Sequence, residues 1–170
     1  RMISPYLDAA NVDLKAFENG FYKTYCGARL APVQETLILM KTLGILVEVT
    51  TLIIPGLNDD PHSLAALAHF MANDLGHDTP WHISRFHPTY KLSDRPATPL
   101  KTLLGAREIG LQAGLKYVYT GNVPGEASES TLCPGCGEIL IERWGFHIRK
   151  YAVAAGKCPH CGAAIAGKGM

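Results

Sequence analysis

The 170-residue chain lacks a hydrophobic run long enough to span a bilayer, a basic stripe and any low-complexity tract. Its longest apolar stretch, Gly44 to Ile54, is interrupted by Glu48 and stops at Pro55. A membrane-spanning helix needs about 20 apolar residues, so no span is expected. Sixteen Lys and Arg against fifteen Asp and Glu give a formal charge of +1. That balance leaves no electrostatic footprint for a nucleic-acid partner. Aromatic residues are few, at 8 %, yet apolar residues reach 47 %, enough for one sizeable core and a small satellite. The sequence shows no signal-peptide pattern, and one cysteine, Cys26, stands apart from the others. A cytoplasmic location is therefore expected.

What the chain does have is a cysteine pattern. Cys133-Pro-Gly-Cys136-Gly and Cys158-Pro-His-Cys161-Gly form two matched knuckles separated by 21 residues that can make a hairpin. In each, Pro presets φ and Gly accepts a positive φ, so two thiols and nearby N–H groups turn toward one centre. Four soft ligands predict a closed, tetrahedral structural metal site at Cys133, Cys136, Cys158 and Cys161. Zinc is the first expectation and iron the second, because ligand identity alone does not separate them. Disulfides or redox pairs fit a reducing compartment less well. His147 and His160 lie close by and read as surface residues, since four sulfurs complete the shell.

Residues 1–121 carry a different signal. Apolar, β-branched runs begin near Asn11, Leu46, Trp81 and Lys116, a repeat of 35 residues. Between them lie helix patterns bounded by Pro32 and Gly44, Pro61 and Gly76, and Pro99 and Gly114, with Asp60 and Thr98 as N-cap candidates. Leu64, Leu67, Ala68, Met71 and Leu75 share one helical face, as do Leu100, Leu103, Leu104 and Leu111. Strand, helix, strand at fixed period predicts parallel strands joined by right-handed crossovers, in an open α/β sheet or part of a barrel. The predicted organisation is a partial (β/α) barrel over 1–121, with three βα units and a final strand. A linker over 122–131 and a four-cysteine, zinc-ribbon or rubredoxin-like module over 132–170 follow.

Ligands of parallel α/β folds gather at the C-terminal ends of strands. There Asp13 and Lys15 share a face of Asn11-Val-Asp-Leu-Lys-Ala16, either as a structural ion pair or as ligand contacts. Thr50 shares a face with Glu48 and Leu52, and Gly56-Leu57-Asn58-Asp59-Asp60 follows, where Asn and Asp can meet a ligand or cap the next helix. Arg85 and His87 fall on one face of the third strand, with His82 and Ser84 on the other. An Arg with a His suits a carboxylate-bearing ligand.

Taken in order, Val-Asp-Leu-Lys, Ile-Ile-Pro-Gly-Leu-Asn-Asp, Arg-Phe-His-Pro and Tyr-Val-Tyr-Thr-Gly-Asn-Val-Pro-Gly, followed by the four-cysteine tail, resemble a known family. The match is to the C-terminal half of the AmmeMemoRadiSam-system radical SAM proteins, relatives of the pyruvate formate-lyase activating enzymes. The resemblance implies a partial (β/α)6 barrel, a [4Fe–4S] cluster and S-adenosylmethionine, cleaved to a 5′-deoxyadenosyl radical that abstracts hydrogen from an unidentified substrate. It places Asp13, Lys15 and His87 at that cofactor, with Thr50 and Arg85 as further candidates. It also implies as partners the missing N-terminal half of the barrel and Memo-type and AMMECR-type proteins. The family's Cys-x-x-x-Cys-x-x-Cys cluster loop is absent from these residues. The chain is therefore expected to be inactive alone, as a piece of a longer protein, one half of a split gene product or a degenerate fragment. A non-catalytic half-barrel and ribbon that binds a protein is the alternative.

Overall fold

A computed structural model describes residues 2–123, 125, 127–145 and 147–169. Four parallel strands form one sheet in chain order: β1 (Ala9–Asp13), β2 (Leu46–Ile53), β3 (Trp81–Arg85) and β4 (Val118–Gly121). A helical turn, α1 (Asn19–Phe21), widens into a π turn over Tyr22–Cys26 and precedes the first crossover helix, α2 (Leu30–Thr42). Crossovers α3 (Pro61–Phe70, prolonged by a π turn over Met71–Leu75) and α4 (Leu100–Gln112) follow. No helix among the described residues is long and apolar enough to cross a membrane.

All three crossover helices cover the same face. Leu37 of α2, Leu64 and Leu67 of α3 and Leu103 of α4 share one buried cluster with Val47, Val49, Trp81, Ile83 and Val118 of the sheet. This face is apolar because alternate residues of each strand point to it. Its polar groups are paired: the Trp81 indole donates to Thr51 (2.9 Å) and Thr51 donates to the Leu14 carbonyl (2.9 Å). A buried N–H thereby finds its partner inside the core.

Two helix details differ from the sequence pattern. Asp60 does cap α3, accepting the Ser63 N–H at 2.9 Å, but the residue at the α4 N-cap is Pro99. Thr98 instead is buried and staples two strand ends. Its hydroxyl donates to the Ile53 carbonyl (2.6 Å) and accepts the Phe86 N–H (3.0 Å). In α4 the buried stripe is Leu103, Ala106 and Gly110, whereas Leu100 and Leu104 are substantially exposed. A small residue is needed there because the Trp81 ring lies against the helix. A Cβ on Gly110 would come within 2.9 Å of Trp81 Cε3 and 3.1 Å of Val118 Cγ2.

A second sheet, antiparallel, follows: β5 (Thr131–Leu132), β6 (Ile139–Trp144) and β7 (His147–Tyr151). Its core is small, comprising Cys133, Leu140, Ile141, Cys158 and Ile165. The ribbon is fastened to β4. The Tyr119 hydroxyl bonds Thr131 Oγ1 at 3.0 Å, and the Ala166 N–H donates to the Tyr117 hydroxyl at 3.2 Å. Residues just before it are anchored too, with Ser128 bonded to Thr120 and Ser130 accepting the Arg143 N–H.

The packing at Gly110 sets two effects against each other. Gly→Ala in a helix interior gains about 1 kcal/mol in propensity, while forcing a methyl into a packed core costs about 1–3 kcal/mol. Because Trp81 is fully buried, the cost is expected to win. Gly110→Ala should lower the stability of the sheet domain by roughly 1 kcal/mol in urea unfolding followed by Trp81 fluorescence.

Candidate functional site

The four ribbon cysteines converge. Each knuckle is closed by the same backbone bond: Gly137 N–H to the Cys133 carbonyl and Gly162 N–H to the Cys158 carbonyl, both at 2.9 Å. Gly137 and Gly162 both take φ of 75°, a conformation that excludes most side chains. The four Sγ atoms lie within 4.8 Å of one another. Cys133 and Cys161 are 3.5 Å apart and Cys136 and Cys158 are 3.8 Å apart. A tetrahedron of metal–sulfur bonds of about 2.3 Å has edges of about 3.8 Å. The quartet therefore fits a single metal ion such as zinc or iron, and it is too tight to enclose a cubane cluster.

The charge state of the quartet points the same way. Burial opposes ionisation of Cys133, but the Gly135 and Cys136 N–H groups and the neighbouring thiols outweigh it and bring its pKa down to about 6. At Cys136 the Glu138 backbone favours the thiolate, but burial and hydrogen bonding with the other thiols prevail and push the pKa up to about 12. Ionisation is thus eased at Cys133 and opposed at Cys136. A divalent cation removes the repulsion and allows all four to ligate.

At the C-terminal edge of the large sheet, Asp13 and Lys15 form an ion pair at 3.0 Å, with their side chains 53 % and 37 % exposed. A pair so exposed is worth at most about 1 kcal/mol and exchanges partners readily. Thr50 is paired with Asp13 in register and its hydroxyl donates to Asn11 at 2.8 Å. Arg85 turns toward the segment entering α4, where its Nε donates to the Thr98 carbonyl at 2.9 Å. His87 lies exposed, two residues beyond the end of β3. β3 ends at Arg85, and the Phe86 side chain between Arg85 and His87 is buried. Asn58 is a structural tie, with its amide accepting from Ile54 N–H and donating to the Lys15 and Leu52 carbonyls.

The open face of the sheet holds a network that strand-end reasoning misses. Parallel register places Asp13, Thr50, His82 and Tyr119 in one row. His82 Nε2 meets Glu48 Oε2 at 3.0 Å and its ring stacks on Tyr119 with centroids 5.1 Å apart. The His82 hydrogen bond, opposed by burial, holds the Glu48 carboxyl below its usual range. A carboxylate only accepts, so Nε2 carries the proton. From the ribbon, Arg143 Nη1 donates to Thr131 Oγ1 at 2.7 Å and the guanidinium lies 5.8 Å from the Tyr119 ring centre. Glu48 and His82 are visible in the sequence as alternating polar residues. Arg143, more than 60 residues from His82 in the chain, is not, since only tertiary packing brings it there.

This geometry can be compared with that of known proteins. No protein-family model matches the chain. An uncharacterized protein of Methanocaldococcus jannaschii is 50 % identical over 161 residues, which cover 94 % of this chain and 48 % of that protein. The chain thus spans about half the length of that relative. A crystal structure of a domain of pyruvate-formate lyase-activating enzyme from Bacteroides vulgatus superposes with a TM-score of 0.63 at 15 % identity, covering 71 % of each chain. The likeness is one of fold.

Two outcomes follow from the site. Cys158→Ser should abolish retention of one equivalent of metal by the ribbon and leave the sheet domain folded, as read by metal analysis and near-ultraviolet circular dichroism. Glu48 has its pKa lowered on folding. Its contribution is therefore complete above the ordinary carboxylate range and disappears as pH falls through the lower folded value. Glu48→Gln should be less stable than the parent at neutral pH and should show a flatter acid limb in unfolding midpoints against pH.

Proposed function

We propose that the chain is the C-terminal portion of a radical SAM enzyme, contributing the second half of the barrel and part of the S-adenosylmethionine site. The observation that carries this is the four-stranded parallel sheet, similar in fold to the activating-enzyme domain, with an exposed charge pair at the end of its edge strand β1. The amino-acid end of S-adenosylmethionine carries an ammonium and a carboxylate, which suit Asp13 and Lys15 respectively. Exchange of one exposed ion pair for two ligand contacts costs little.

The cluster is another matter. Four of this chain's five cysteines belong to the ribbon quartet and Cys26 is alone, so its residues do not fit a three-cysteine cluster site. The polypeptide that supplies that loop also completes the sheet on the β1 edge in this reading. The ribbon metal has a structural role, with no ligand position left for chemistry. Memo-type and AMMECR-type proteins are the partners suggested by the sequence resemblance, and a cytoplasmic location is inferred from the cysteine pattern, with Cys26 standing apart from the quartet.

A second reading, in which half-barrel and ribbon form a non-catalytic protein-binding module, is favoured by one feature. Trp144, Ile148 and Tyr151 on the β6–β7 hairpin are 47 %, 61 % and 54 % exposed, and aromatic residues are enriched at interfaces.

The decisive experiment combines the chain anaerobically with a polypeptide carrying a Cys-x-x-x-Cys-x-x-Cys loop, together with iron, sulfide, reductant and S-adenosylmethionine. The enzyme reading expects 5′-deoxyadenosine, and Asp13→Ala or Lys15→Ala to raise the KM for S-adenosylmethionine about tenfold, near 1.4 kcal/mol. A stable complex with an assembled cluster and no 5′-deoxyadenosine would favour the binding module.

A further inference from the structure

Between the open face of the sheet and the ribbon lies a cavity of about 780 Å³. Small-molecule sites typically span about 300–1,000 Å³ and form where two domains meet, with apolar walls and a few convergent polar groups. Here Glu48, His82 and Tyr119 line the sheet side, and Ile141, Arg143 and Ile165 line the ribbon side. Asp13 and Lys15 do not line this cavity, although its lining reaches Gly121 and Asn122 at the end of β4.

The charges within it are unequally used. Glu48 is held by His82 at 3.0 Å, and Glu129 accepts the Gly145 N–H at 3.1 Å. Arg143 is half-buried and its side chain rests on two neutral groups, the Thr131 hydroxyl and the Tyr119 ring. Among the described residues no carboxylate lies within 4.0 Å of it, and Glu48, on the same lining, feels its charge only as a minor influence behind that of His82. A guanidinium offers five N–H donors in a planar fork that matches a carboxylate or phosphate, and one of them has a protein acceptor here. Lys168, also on the lining, adds a second cation. It lies 3.8 Å from an exposed Asp8 carboxylate.

We propose that this cavity binds a small organic oxyanion, a carboxylate or phosphate carried on an apolar body. The oxyanion sits on the free edge of the Arg143 fork and the body lies against Ile141 and Ile165. Tyr119 supports the fork from beneath, and its ring is in turn fixed by stacking on His82. The proposal needs neither iron nor S-adenosylmethionine, so it stands or falls independently of the enzyme reading above.

Calorimetric titration of the zinc-loaded chain with three probes tests it: benzoate, phenyl phosphate and the neutral benzamide. At least one anion should bind, the better of the two identifying the preferred head group, and benzamide should bind at least tenfold more weakly. Arg143→Gln should weaken the preferred anion at least tenfold with bound zinc unchanged. Arg143→Lys should retain part of the affinity, and the distant surface change Lys101→Gln should alter nothing. Equal binding of benzamide and the anions would overturn the proposal without recourse to any variant. So would the absence of binding by either anion, or anion binding unaffected by Arg143→Gln in a zinc-retaining protein.

Discussion

A parallel sheet draws its helices from its own crossovers, and when the strands run in simple spatial order those helices land on one side. That is the constraint on which this protein is built. Order β1-β2-β3-β4 sends α2, α3 and α4 to a single face, and parallel sheets are ordinarily covered on both. The uncovered face must therefore be polar, be covered by something else, or both. Here it carries Asn11, Asp13, Glu48, Thr50 and His82, and near β4 the ribbon shelters it. The same constraint leaves β1 as a sheet edge, with unpaired backbone groups that can accept another strand.

The ribbon solves its own problem of size differently. Five buried residues make its core, two of them cysteines. Segments of about 40 residues or fewer seldom fold on burial alone, and a metal–thiolate site supplies what burial does not. Short tethers join the thiol quartet to the sheet. Thr131 stands two residues before Cys133 and Ala166 five after Cys161; the first bonds Tyr119 of β4 and the second Tyr117, the residue just before that strand. Arg143, on the hairpin between the knuckles, reaches the sheet face through the same Thr131. The ribbon is thus more than an end cap, because it contributes a cation to a surface that the sheet alone would leave incomplete.

Much of this was legible in the chain. The 35-residue rhythm marks all four parallel strands, because buried strands and Pro/Gly-bounded crossovers write a coarse, redundant pattern. The two knuckles are equally plain, because thiol spacing and turn chemistry are local. Side-chain roles were less so. Thr98 looks like an N-cap next to Pro99, yet its hydroxyl is engaged between Ile53 and Phe86. Leu100 and Leu104 fit a helical stripe, yet the bulk of Trp81 shifts the buried line to Leu103, Ala106 and Gly110. Asn58 in its Gly-Leu-Asn-Asp turn reads as a ligand contact or a helix cap, and in place it satisfies three backbone groups.

By itself, then, the sequence determined the succession of strands and helices, their parallel arrangement and the identity of the four thiol ligands, since each depends on residues close together along the chain. The tertiary structure alone decided which face of the sheet stays open and that His82 is engaged by Glu48. It also decided that an arginine from the ribbon comes to rest over Tyr119. Glu48 and His82 are 34 positions apart in the chain, and Arg143 and Tyr119 belong to different sheets. A hydrogen bond or ring contact of that kind has no local signature. It exists only once packing has fixed both partners.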